Sequence, residues 1–294
     1  MSARAVAIAN PNAGSMDELG SIREALRSRG VELWETRAAG DAERLARRAA
    51  QDRGTARVIA VGGDGTLNEV LNGLAGQLER LELGLVPLGT GNDFARAAQV
   101  PAELDGALDL LAGGRARRVD VLEVRWDGGR RLALNASSGG FSTVLDEKLD
   151  PGVKEWLGAL AYLVAAGRAL PESRSHRVRV ELDGECLDET LYNFVVANGG
   201  FVGGGVPVAP GARFDDGLAE IVLFPVRPVL QLAAVVAKVV SGTHADDPGV
   251  VLRRARRIVI AADPPMGFNA DGEPAGETPV SYEVLPGAAR IVLR

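Results

Sequence analysis

Along the first 110 or so residues, short aliphatic runs alternate with turns rich in Gly and Asn, and then with apolar residues three and four apart. Residues 3–10 read as a strand running into Asn10, Pro11, Asn12, Ala13 and Gly14. Leu19, Ile22 and Leu26 make the inner stripe of a helix that Gly30 closes. A second strand, 31–36, ends at Thr36, and Asp41 is placed to cap a helix carrying Leu45, Ala46 and Ala49 inward. The third unit is the most sharply drawn. An apolar run from Val58 stops at Gly62 and Gly63, where positive φ and close backbone approach are both open. From Thr66, residues Leu67, Val70, Leu71 and Leu74 recur at helical spacing, with Asn68, Glu69 and Asn72 off that face. A fourth strand, 83–88, meets Gly89, Thr90, Gly91, Asn92 and Asp93, followed by a short helix to Gln99 and another at 104–111.

This alternation predicts a parallel, doubly wound sheet, in which ligands bind beyond the carboxyl ends of the strands. Three such ends carry polar glycine turns, at 10–14, 62–66 and 89–93, and they are expected to converge on one crevice. The turn after the third strand sets backbone N–H groups and a helix dipole beside the Asp64 carboxylate, an arrangement suited to a nucleotide phosphate with a bound cation. Taken alone, an ordinary strand-to-helix turn with an incidental Asp explains the same residues.

After the basic stretch of Arg115, Arg117 and Arg118 the pattern changes. Residues 119–126 alternate as a strand, Asp127-Gly128-Gly129 turns, and 130–136 returns as the hairpin partner. Strands follow at 177–182, 190–197, 218–224, 257–262, 280–285 and 290–293, with helices at 153–170 and 228–241. A β-rich second domain, a sandwich, is expected from residue 120, giving domains 1–119 and 120–294. Its turns bring carboxylates of their own, in Asp215-Asp216-Gly217-Leu218 and in Asn269-Ala270-Asp271-Gly272-Glu273. The glycine-dense NGGFVGGG at 198–205 lies between the strands. Each also reads as plain hairpin punctuation.

Composition narrows the function. A chain of 294 residues, 46% hydrophobic and 24% charged, suits two globular domains. One cysteine, Cys186, excludes a disulfide framework and a cysteine zinc site, and two histidines, His176 and His244, cannot build a histidine-rich centre. Reducing cytoplasm is the expected compartment, since no charged-then-apolar leader precedes the first strand. The longest apolar tract, 229–240, is broken by Gln231 and Lys238 and is shorter than a membrane span. A net charge of −6 argues against a general nucleic-acid binder. The helix at 153–170, with Trp156 and Tyr162 between Lys154 and Arg168, reads either as interfacial or as packed on the sandwich. Arg253, Arg254, Arg256 and Arg257 read either as lipid-headgroup contacts or as a solvated edge strand. No P-loop GxxxxGK[ST] occurs, nor a GxGxxG with a ribose-binding acid.

In order, NPNAG at 10–14, GGDGTLNE at 62–69, GTGNDFA at 89–95, Arg118-Val119-Asp120, DDGL at 215–218 and DGE at 271–273 resemble the bacterial diacylglycerol kinase family of soluble lipid kinases. Its catalytic domain is similar to that of sphingosine and ceramide kinases, and the resemblance covers essentially the whole chain. It implies an α/β nucleotide-binding domain, a β-sandwich domain and an active site in the cleft between them. It further implies ATP- and Mg²⁺-dependent phosphorylation of a hydroxyl on a diacylglycerol-like or long-chain-base lipid, met at a membrane surface by transient peripheral contact.

By the same resemblance, Asn10, Pro11, Asn12, Ala13, Gly14, Thr36, Gly62, Gly63, Asp64, Gly65, Thr66, Leu67, Asn68, Glu69 and Thr90 would hold ATP. Asp64 and Asp93, with Asp120 nearby, would organise the catalytic Mg²⁺, and Asp216 with the carbonyls of Arg213 and Leu218 a second, structural Mg²⁺. Glu273 would be the general base on the lipid hydroxyl, with Asp271 a second candidate carboxylate beside it. A homodimer is compatible with this reading. Many relatives place a Lys soon after the first glycine motif, whereas Ser15 and Met16 follow Gly14 here, so a cationic phosphate contact is missing or comes from an Arg elsewhere. GGDGT also occurs in NAD kinases, which keeps a soluble small-molecule kinase as the rival, beside a non-catalytic nucleotide- or lipid-binding regulator.

Overall fold

The computed structural model describes residues 4–13, 16–140 and 175–294, so Gly14 and the helix expected at 153–170 lie outside the described residues. Two compact units emerge: Met1–Asp120 with Gly287–Arg294, and Val121–Pro286.

The first unit alternates β1 (Arg4–Ala9), α1 (Met16–Ser28), β2 (Glu32–Glu35), α2 (Asp41–Gln51), β3 (Thr55–Gly62), α3 (Asp64–Gly73), β4 (Glu82–Pro87), α4 (Asp93–Ala97) and α5 (Leu104–Gly113). The strands run parallel in the order β2-β1-β3-β4. On one face, Leu19, Ile22 and Leu26 of α1 and Ala107, Leu108 and Leu111 of α5 meet Ala7, Ala9, Ile59, Val61 and Val86. The intervening strand residues Val6, Ile8, Val58 and Ala60 are equally buried, so the other face is covered too, by α2 and α3. Those helices pack closely because Gly73 has no side chain: a Cβ there would run into the Glu43 carbonyl and come within 2.7 Å of Ala46 Cβ.

Local details correct the expectations. Helix α3 starts at Asp64, two residues earlier than its apolar spacing suggests, because Gly63 is extended (φ −89°, ψ −169°) and hands over directly. The N-cap of α2 is Gly40, with left-handed φ of 82°, and not Asp41. Asp41 instead accepts the N–H groups of Arg37 (2.8 Å) and Ala38 (3.2 Å) in the turn ahead of the helix. The end of the chain also differs from a domain running 120–294. Arg290 and Ile291 in β15 (Val280–Leu293) pair in parallel with Glu82 and Leu83, adding a fifth strand to the first sheet.

The second unit is antiparallel. Its strands are the latter part of β5 (Arg115–Trp126), β6 (Gly129–Ala133), β7 (Ala136–Gly140), β8 (His176–Leu182), β9 (Glu185–Ala197), β10 (Ala219–Pro225), β11 (Val251–Ala255), β12 (Arg257–Asp263), β13 (Gly267–Ala270), β14 (Glu273–Glu277) and the start of β15. Pairing runs β14-β13-β7-β9-β8-β12-β15, while β10 also joins β9 and carries β11. Strict alternation makes one side of each strand apolar: Val178, Val180 and Leu182 point inward from β8, and Arg177, Arg179 and Glu181 outward. The core gathers Leu122, Val124, Phe194, Ile221, Ile258, Phe268 and Tyr282. Trp126 closes it edge-to-face on Phe268, with ring centroids 5.7 Å apart. A separate cluster joins Val195, Ala197 and Val222 to Val235 and Val239 of α6 (Val229–Ser241), which is the packing reading of that apolar tract.

Among the described residues β11 pairs only with β10, so Arg253 and Arg254 lie on an edge strand. The hairpin partner expected at 130–136 is two strands, interrupted at Leu134 and Asn135, and the ends expected at 280–285 and 290–293 are one continuous strand.

Candidate active site

The order β2-β1-β3-β4 places the topological switch between β1 and β3, where the chain first winds outward and then back. In such sheets ligands sit beyond the carboxyl ends at that point. Segments 10–13 and 62–66 leave the sheet on either side of it. Asn10 donates its N–H to the Val61 carbonyl (3.0 Å), while its side-chain oxygen accepts the Asn12 N–H (3.0 Å) and its carbonyl the Ala13 N–H (3.1 Å). Pro11 is therefore held in a fixed turn. Thr36, buried at the end of β2, donates to the Ala9 carbonyl at 2.9 Å.

The glycines after β3 and β4 serve proximity, not unusual dihedrals: Gly62, Gly63 and Gly89 are absent from the left-handed positions. A Cβ on Gly62 would lie 2.5 Å from Thr66 Oγ1, and one on Gly89 only 2.6 Å from Gly63 Cα. The two turns touch backbone to backbone. Asn92, left-handed at φ 48°, braces the second by accepting the Gly89 N–H at 3.1 Å and donating its amide to the Gly89 carbonyl. Thr90 stands exposed at the tip.

Asp64 joins the turns chemically. Its carboxylate accepts the Asp93 N–H at 3.0 Å and the Phe94 N–H at 3.3 Å, so it faces the first residues of α4. Asp93, which opens that helix, is buried, and each carboxylate oxygen can accept more than one partner. Two aspartates at adjoining turns are the donor set that Mg²⁺ takes when phosphate oxygens and water complete its shell. Among the described residues no three His, Cys, Asp or Glu side chains gather as a metal group, and Asp120 is buried in the same unit as Asp64 and Asp93. The Asp120 Oδ1 accepts the Gly287 N–H at 2.7 Å and so ties the last strand into the first unit.

The rest of GGDGTLNE divides between surface and core. Gly65 is half-buried, Thr66 and Asn68 are buried on α3, and Leu67 belongs to the core. Glu69 has a structural task that its position in the motif does not announce. Its carboxylate accepts the N–H groups of Gly40 (2.9 Å) and Ala42 (3.0 Å), capping α2.

In the second unit, Asp271 (φ 48°) and Gly272 (φ 84°) form a two-residue turn of the primed kind, closed by the pairing of Ala270 with Glu273. The Asp271 carboxylate accepts three successive backbone N–H groups, from Leu134 (2.8 Å), Asn135 (2.9 Å) and Ala136 (3.0 Å). That clamp is why the expected hairpin strand breaks there. Glu273 is exposed, and no hydrogen bond or ion pair engages its carboxylate among the described residues.

The DDGL turn engages its carboxylates locally. Asp216 accepts the Leu218 N–H at 3.1 Å around left-handed Gly217 (φ 75°), and its other oxygen pairs with Arg254. Arg213 turns to Asp215 at 3.1 Å. The Asp216 carboxylate, which the resemblance assigns to a structural Mg²⁺ with the carbonyls of Arg213 and Leu218, thus carries a backbone N–H on one oxygen and a guanidinium on the other. Glu220, opposite Arg254 in the β10–β11 pairing and 5% exposed, accepts the Gly211 N–H at 2.9 Å, and burial pushes its pKa above the usual carboxylate range. Reading by motif passes over Asn135, although an Asn between two alternating runs signals an interrupted strand.

Comparison with known proteins agrees with this architecture. Residues 4–124 match the diacylglycerol kinase catalytic domain, and residues 138–293 the YegS C-terminal NAD kinase beta sandwich-like domain. A protein of Xanthomonas campestris pv. campestris (strain 8004), named probable lipid kinase YegS-like, is 39% identical over 289 residues, covering 92% of this chain and 90% of its own. A diacylglycerol kinase of Staphylococcus aureus (strain MRSA252) is 31% identical over 287 residues, covering 96% and 90%. A crystal structure of a diacylglycerol kinase from Bacillus anthracis str. Sterne superposes with a TM-score of 0.81 at 25% identity, covering 99% of this chain and 97% of that one. The fold and its matched domains define a kinase. The chain belongs to the diacylglycerol kinase family of lipid kinases. Among the described residues no helix is long and apolar enough to cross a membrane.

Proposed function

We propose that the chain transfers the γ-phosphoryl group of ATP, with Mg²⁺, to a hydroxyl of a diacylglycerol-like or long-chain-base lipid presented at a membrane surface. The observation that carries this reading is the backbone contact of the Gly63 and Gly89 turns, with the Asp64 carboxylate on the N–H groups of Asp93 and Phe94. Those turns bring closely apposed backbone to the carboxyl edge of the sheet beside the switch point, and the N-terminus of α3 adds its dipole for phosphate. The Asn10, Asn12 and Ala13 turn and Thr36 border the same edge of the sheet for the nucleoside.

Asp64 and Asp93 would hold the Mg²⁺, which when bound neutralises charge on the β- and γ-phosphate oxygens. Glu273 accepts the proton of the lipid hydroxyl as the new P–O bond forms. An exposed carboxylate that no cation engages among the described residues is free to reach substrate, which suits that task.

A soluble acceptor is the second reading, favoured by the NAD kinase-like description of the matched C-terminal domain. Transfer of labelled phosphate from ATP to a lipid panel in mixed micelles, and to NAD, separates the two, with Mg²⁺ or chelator in parallel. Labelled lipid that requires the metal supports the proposal, and label on NAD alone overturns it. Glu273→Gln should lower the rate by about 10²–10⁴-fold while ATP binding is retained; a variant with most of the wild-type rate removes Glu273 from the base role.

A further inference from the structure

The glycine-dense loop after β9 and the interruption between β6 and β7 take no part in the chemistry above, yet both converge on the turn that carries Glu273. The N–H groups of Asn198 and Gly199 donate to the Asn135 carbonyl, each at 2.8 Å. The Asn198 side-chain amide donates to the Leu134 carbonyl at 2.8 Å, and that of Asn135 to the Phe201 carbonyl at 2.6 Å. Gly199 is required there, because a Cβ would collide with Asn135 Oδ1. Segment 134–136 is thus gripped through its carbonyls by the loop and through its N–H groups by Asp271. The Asp271 N–H returns to the Ala136 carbonyl at 2.8 Å, closing the knot.

Among the described residues the Glu273 side chain has no partner that fixes it, so its place is set by the turn, and the turn by Asp271. We propose that Asp271 is the positioning residue for Glu273, anchored through Asn135 to the loop at 198–201. The inference rests on Glu273 being the base. It gives the second carboxylate of DGE a task other than proton transfer or metal binding: three N–H donors converge on it, and only an acceptor with two oxygens answers them all. An Asn would set an NH₂ group against one of those donors. A base displaced by about 1 Å loses on the order of 10²-fold in rate.

The test is a double-mutant cycle on Asp271→Asn and Glu273→Gln in the full chain, reading kcat, KM for ATP and thermal unfolding. Asp271→Asn should lower kcat by about 10–10²-fold with KM for ATP unchanged. The double variant should be no slower than Glu273→Gln alone, because the clamp acts only through the base. Multiplying losses would overturn the inference, since Asp271 would then act on the reacting atoms itself; so would a normal kcat in Asp271→Asn beside an inactive Glu273→Gln. An active Glu273→Gln would instead defeat the base assignment on which the inference stands. Should Asp271→Asn fail to fold, Gly199→Ala loosens the same knot from its far side and is read in the same cycle with the same expected loss.

Discussion

Two Asp-Gly turns, 64–65 in the first unit and 271–272 in the second, look alike in sequence and are built on opposite demands. In both, the carboxylate accepts backbone N–H groups from a distant segment: two for Asp64 and three for Asp271. The glycines around them differ. Gly62, Gly63 and Gly89 have ordinary backbone angles and no room, whereas Gly272 has a left-handed φ of 84° and open space, with nothing within 4 Å of where a Cβ would stand. One turn needs glycine for what it lacks in volume, the other for what it allows in conformation.

That difference can be broken by substitution. Gly89→Ala is expected to have the larger effect, since its Cβ would meet Gly63 Cα at 2.6 Å and Asn92 Oδ1 at 3.0 Å, and backbone cannot rotate away. Overpacking of this kind costs about 1–3 kcal/mol. Parting the two turns should also weaken ATP binding by at least about tenfold, equivalent to about 1.4 kcal/mol, as measured by nucleotide titration beside urea unfolding. Gly272→Ala should cost about 1–2 kcal/mol from backbone strain alone, with little change in nucleotide affinity. Asn tolerates the left-handed region, so Gly272→Asn should recover most of that loss, while Gly89→Asn should recover none. Recovery at both sites, or at neither, would show that space and conformation are not separate here.

The strand and helix order of the first unit was legible because each element carries its own period, and the three polar turns do fall on one carboxyl edge of the sheet. The tasks of individual side chains were less so. Glu69 lies in the most specific motif of the chain, yet caps α2, because the close approach that Gly73 allows brings α3 against the start of α2. Nothing local encodes such a contact. The interruption at Leu134 and Asn135 depends on Asp271, more than 130 residues away in the chain, and the fifth strand of the first sheet comes from the last residues. Alternation within a strand says which side is apolar; it does not say which sheet the strand joins.

The smallest expected effect sharpens the comparison by adding a carboxylate with few donors. Asp271 is met by three N–H groups, whereas Glu220, 5% exposed, is met by the Gly211 N–H at 2.9 Å. Burial raises its pKa, opposed by that N–H and by the neighbouring Arg254 and His244, and reinforced by Asp216. A folded-state pKa above the unfolded value means that the folded chain binds more protons across the interval between them. Stability from this group therefore falls as pH rises through the interval, and the cost is fully present above the raised folded pKa. Glu220→Gln keeps the shape and removes the charge, so its Tm relative to wild type should be higher at neutral pH and lose that advantage as pH falls to about 4, the ordinary carboxylate value. A variant less stable than wild type at neutral pH, with the gap closing in acid, would mean that Arg254 and His244 outweigh burial; few donors would then suffice for a buried carboxylate when a guanidinium stands beside it.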